Sequence, residues 1–155
     1  MSFRIVGLPA ETFTPLFGLP DEALAARGIV RVTADASPGY PDRIELRDAE
    51  PGQTLLLVNH VHHDVDNPYR ASHAIYVREG ASQPFDAVDT VPDCLARRLL
   101  SLRAFDAQGM MVDADVVDGR EAAATIERLF GREDVAFLHA HYAKRGCFAG
   151  RVLRA

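Results

Sequence analysis

Leu100-Ser101-Leu102-Arg103-Ala104-Phe105-Asp106-Ala107 and Met111-Val112-Asp113-Ala114-Asp115-Val116-Val117-Asp118, joined through Gln108-Gly109-Met110, set the architecture expected of this chain. Both segments alternate apolar and polar residues with the period of a half-buried strand, and the glycine-bearing connection is a hairpin signal. Pairing Leu102 with Val116 places Arg103 opposite Asp115, so core meets core and charge meets charge. In that register Asp113 and Asp115 share a face, and Arg103 makes them half of a surface ion pair rather than an acid pair for catalysis.

Other strands follow outward from this hairpin. Val135–Tyr142 and Cys147–Leu153 form a second hairpin across Ala143-Lys144-Arg145-Gly146. Thr54–His62 is the most strongly β stretch, and a polar loop from Asp64 to Arg70 leads to a strand at Ala74–Arg78. Phe3–Leu8 and Ile29–Ala36 are shorter strands, and Arg43–Arg47 alternates as a half-buried strand should. The clearest helix is Gly119–Phe130, with Ala123, Ile126, Leu129 and Phe130 on one face and Gly131 as its stop. Two shorter helices are expected, one around Ala23–Arg27 after Pro20-Asp21-Glu22 and one from Pro92. About eight strands joined mostly by hairpins, with about three helices, predict a single α+β domain with an antiparallel-rich sheet.

Composition narrows the function classes. The hydrophobic share is 48% and the charged share 25%, as in an ordinary globular protein. A net charge of −5 argues against a nucleic-acid partner, which needs a clustered positive field. Lys144, Arg145, Arg151 and Arg154 are the exception, read as a solvated hairpin tip with an anion- or partner-binding alternative. No apolar run approaches the ~20 residues of a membrane helix, and the N-terminal stretch has no secretory pattern. Cys94 and Cys147 lack framework spacing, so a reducing, cytoplasmic setting is expected.

The chemistry-bearing residues are the histidines. Side chains two apart on a strand share a face, so His60 and His62 point one way, as do His139 and His141. Two imidazoles at that spacing suit a divalent transition metal such as zinc, with His73 or an acid as a further ligand. His62, His63, Asp64 and Asp66 are equally the solvated end of a strand. His139 and His141 are equally core side chains bonded to backbone, or acid–base groups without metal. Cys147 becomes a histidine-activated nucleophile only if the hairpin register places it on the histidine face.

Ala34-Asp35-Ala36 with Pro38-Gly39-Tyr40-Pro41 and Ser72-His73-Ala74-Ile75-Tyr76-Val77-Arg78-Glu79 form a recognisable set. So do Ser101–Ala107 with Gly109-Met110-Met111, and His139-Ala140-His141 with Gly146-Cys147-Phe148. Together, over nearly the whole chain, they resemble a bacterial family designated domain of unknown function twelve-oh-three. The resemblance implies a small stand-alone cytosolic protein and no particular activity. It also implies a cysteine in relatives at the position of Asp42, and tyrosine and glutamine at His60 and His63. His60 is thereby demoted as a ligand. The expected site is a small-molecule pocket lined by His62, His73, His139 and His141, with Arg70, Arg78 or Arg103 for an anionic group. The alternative is a non-catalytic interaction module, such as a homodimer, with structural histidines.

Overall fold

A computed structural model describes residues 2–155 and shows two antiparallel sheets. The strands are β1 (Phe3–Val6), β2 (Val30–Thr33), β3 (Thr54–His63), β4 (Ala71–Arg78), β5 (Asp86–Val88), β6 (Leu99–Phe105), β7 (Met111–Asp118), β8 (Phe137–Tyr142) and β9 (Phe148–Arg154). The helices are α1 (Asp21–Ala25), α2 (Asp93–Ala96) and α3 (Ala122–Phe130), with short 3-10 turns at Ala10–Thr12, Thr14–Leu16 and Gly119–Glu121. The larger sheet has the order β5-β1-β9-β8-β6-β7 and the smaller β2-β3-β4. The α+β architecture expected from the sequence is present. Among the described residues no helix is long and apolar enough to cross a membrane.

Helix α3 forms where its apolar spacing requires. Asp118 accepts the Arg120 N–H at its approach (2.9 Å), and Ala122, Ile126, Leu129 and Phe130 are buried. They pack on Leu100, Leu102, Leu138 and Val152 to make the main core on one face of the larger sheet. A second core joins Leu56, Val58, Ile75 and Val77 of the smaller sheet to Phe13, Leu24, Ile44 and Phe148. The opposite face of the larger sheet therefore looks toward the smaller one.

The β6–β7 register differs from the expected one, and the difference matters. Leu102 pairs with Asp115 and Arg103 with Ala114, and a bulge between Ala104 and Phe105 shifts the ladder again. The turn causes this, because Asp106 Oδ1 accepts the N–H groups of both Gln108 and Met110 (2.9 Å each) and fixes a longer loop. Asp115 therefore faces α3 and pairs with Arg128, while Asp113 meets Arg132 at 3.4 Å. Arg103 is left on the other face with no carboxylate partner among the described residues, and its Nε donates to Ser101 Oγ at 3.3 Å.

Arg43–Arg47 is not a strand. It is a buried turn closed by the Asp42 N–H on the Arg47 carbonyl (2.9 Å), with Leu46 at a φ of 51°. Asp42 holds it: its carboxylate accepts the amides of Glu45 (2.7 Å) and of Arg78 on β4 (2.8 Å). Asp42 is fully buried, and burial pushes its pKa up against these two hydrogen bonds. Replacing Asp42 by Ala orphans two amides and is expected to cost about 2–4 kcal/mol in urea unfolding. A loss under about 0.5 kcal/mol would contradict this tie between turn and sheet.

Candidate functional site

Strand register assembles one face of the larger sheet row by row. His141 lies between Ser101 and Phe148, His139 between Arg103 and Arg151, and Phe137 between Phe105 and Leu153. The facing wall comes from the end of β3, where a bulge between Val61 and His63 interrupts the ladder. A bulge breaks strict alternation and re-aims side chains. Both His62 and His63 consequently turn toward the larger sheet. The His62 ring lies 4.9 Å from that of His141 and 5.9 Å from that of His139, and stacks on Phe148 at 5.1 Å. The His63 ring lies 5.3 Å from His139 and 4.2 Å from Phe105.

His62 of the first His-x-His pair thus meets both members of the second between the sheets. His60 and His73 face each other across β3 and β4 at the margin, with His60 against Phe13 at 5.7 Å. His63 is the residue that sequence reasoning placed in solvent; it is buried, and its Nε2–H donates to the Gly109 carbonyl at 2.8 Å. Arg70 is engaged with Asp64 and Arg78 with Glu45, which leaves Arg103 of the three proposed anion binders. Arg151 joins it, lying over the Phe137 ring at 4.6 Å, with no carboxylate partner among the described residues.

Cys147 is turned away. Its partner across the hairpin is Tyr142, whose N–H donates to the Cys147 carbonyl (2.9 Å), while His141 pairs with Phe148. Gly146, at a φ of 80°, closes the turn with its N–H on the Tyr142 carbonyl. Histidine activation of Cys147 is therefore ruled out by register. Both cysteines are free and buried.

Burial governs the imidazoles. Desolvation, reinforced by neighbouring imidazoles and guanidiniums, lowers the pKa of His139 to about 2, His141 to about 3 and His62 to about 4. All three are neutral at pH 7. The His141 Nδ1–H donates to the Gly146 carbonyl (2.8 Å), which leaves its Nε2 with the lone pair. Nδ1 of His62 and Nδ1 of His139 are buried with no hydrogen-bond partner among the described residues. The two residues line a cleft of about 500 Å³ whose walls also include Gly7, His63 and Arg151.

A metal centre fits these residues poorly. Among the described residues no group of three or more His, Cys, Asp or Glu side chains is arranged to hold a metal ion. The guanidiniums of Arg103 and Arg151 add positive charge that lowers these imidazole pKa values further. Such a field disfavours a dication and favours an anion.

The family model described as Protein of unknown function (DUF1203) matches residues 39–154. The chain belongs to this family. The matched segment holds all six histidines together with Arg103 and Arg151, whereas the wall of the cleft around Gly7 lies outside it. No curated protein and no solved structure matches the chain.

Proposed function

We propose that the protein binds a small anionic organic molecule in the cleft between its two sheets. Arg151, with Arg103 behind it, supplies the charge for a carboxylate or phosphate group. Neutral His62 and His139 exchange hydrogen bonds and a proton with the adjoining part of the ligand. The supporting observation is the pair of buried Nδ1 atoms that have no partner among the described residues, beside guanidiniums that find no carboxylate there either. Buried polar atoms are costly unless something satisfies them, and a polar ligand does so here. Two free thiols fit a reducing compartment such as the cytoplasm.

An anion seated beside His139 stabilises its imidazolium and raises its value from about 2 by roughly 1–3 units, so binding is independent of this group from pH 8 to 6 and strengthens only below about pH 5. A thermal-shift panel of small carboxylates and phosphate esters tests the reading. At a hundredfold excess over Kd, a true ligand adds about 2.7 kcal/mol and raises Tm by roughly 5–10 °C. Arg151→Ala and His139→Gln each abolish the shift. A panel in which no anion stabilises the protein, or in which both variants respond like the parent, removes the proposal.

A further inference from the structure

Beside the β8–β9 turn lies a second cavity, of about 260 Å³, that shares no lining residue with the histidine cleft. Its cationic lining is Arg43, Arg98, Lys144 and Arg145, and no acidic residue contributes to it. That gathering runs against a chain whose net charge is −5. Arg98 is answered by Asp48 at 2.6 Å, but the other three have no carboxylate within ion-pair distance among the described residues.

Arg43 is the unusual member. Only 2% of it is exposed, and its guanidinium lies 5.0 Å over the Tyr142 ring. Its Nε donates to the Phe148 carbonyl (2.8 Å), its Nη1 to the Pro41 carbonyl (2.5 Å) and its Nη2 to Cys147 Sγ (3.1 Å). Carbonyls, a thiol and an aromatic face occupy these donors, yet none brings the full negative charge that a buried guanidinium calls for. Lys144 and Arg145 stand exposed on the loop beside it.

We infer that this cavity is an oxoanion-binding site in which Arg43 and the Lys144–Arg145 loop hold the anion against the thiol of Cys147. The cavity sits just below the usual range for drug-sized ligands, which selects a phosphate, a sulfate or a short carboxylate. Guanidinium geometry matches such groups through paired N–H donors. Cys147, on the cavity wall, is then the nucleophile that an anionic electrophile meets first.

Site-resolved alkylation reads this directly. Iodoacetate and iodoacetamide differ chiefly in charge; in each case the Cys147 S–C bond forms, the C–I bond breaks, iodide leaves and the thiol proton passes to solvent. Cys94 is the internal control, being 1% exposed, pushed up to about 11 by burial, and donating its S–H to the Leu46 carbonyl at 2.9 Å. Relative to glutathione, Cys147 is expected to prefer iodoacetate on the order of tenfold, as a focused positive field predicts. Inorganic phosphate protects Cys147 if the site prefers phosphate, and acetate at equal ionic strength does so if it prefers carboxylate. The Lys144→Ala/Arg145→Ala double variant changes only exposed loop side chains and brings the ratio down toward that of glutathione. A glutathione-like ratio in the parent, a ratio unmoved by the double variant, or a Cys147 unlabelled by both reagents overturns the inference. None of these results bears on the histidine cleft, whose residues are untouched.

Discussion

Between pH 6.5 and pH 4.5 this protein is expected to lose roughly 5 kcal/mol of stability. His139 and His141 cause it. They are 3% and 1% exposed, with folded values of about 2 and about 3 against an unfolded value of 6.5. Above about pH 7.5 both are neutral in both states and contribute no slope. Below it the unfolded chain takes up two protons that the folded protein refuses, and each refusal costs about 1.4 kcal/mol per unit. The loss continues toward pH 3, where native His141 begins to charge. His62, with its value of about 4, adds a smaller share because it is less buried. With a typical total stability of about 5–15 kcal/mol, acid unfolding follows near pH 4–5. Urea unfolding at pH 7, 6 and 5 measures the slope. His139→Gln and His141→Asn should each remove about half of it, the second keeping a donor for the Gly146 carbonyl. A flat profile from pH 7 to pH 5 would falsify the neutral-imidazole account.

Gly7→Ala is expected to be among the most damaging single methyl additions in the chain, with Gly119→Ala its equal. A Cβ at Gly7 falls 1.9 Å from the Ile44 carbonyl oxygen and 2.9 Å from its carbon, with backbone rather than a flexible side chain in the way. The surrounding ladder leaves no room to move. Gly7 N–H donates to the Phe85 carbonyl, Leu8 N–H to that of Arg43 and Phe85 N–H to that of Ile44, each at 2.8 Å. This knot fixes the end of β1 and the buried turn that carries Arg43, so strain spreads into both cavities. The expected cost is about 4 kcal/mol or more, seen as a fall in Tm on the order of 10 °C or as insoluble protein. A soluble variant with Tm within about 2 °C of the parent would show that the approach relaxes cheaply.

Much of the fold was legible because it rests on local patterns. The β6–β7 and β8–β9 hairpins follow from alternation flanked by glycine turns, and α3 from its apolar spacing. Strand β5, Asp86–Val88, was missed because three residues carry no measurable period. Arg43–Arg47 imitates a strand, since its alternating charges look solvated until Arg43 proves to be buried.

Sequence alone determined the antiparallel α+β plan, the placement of histidine pairs on common strand faces and the shortage of positive charge, all consequences of local period and composition. It could not determine what those faces meet. The bulge before His63 turned a residue expected in solvent into part of the cleft. The register of β6 on β7 took Arg103 from Asp115, and that of β6 on β8 set it beside His139. The register of β8 on β9 sent Cys147 to Arg43 instead of the histidines. Each outcome hangs on a one-residue shift in pairing. Such a shift leaves the periodicity of a strand untouched while exchanging which face every side chain occupies, so only the assembled sheets decide it.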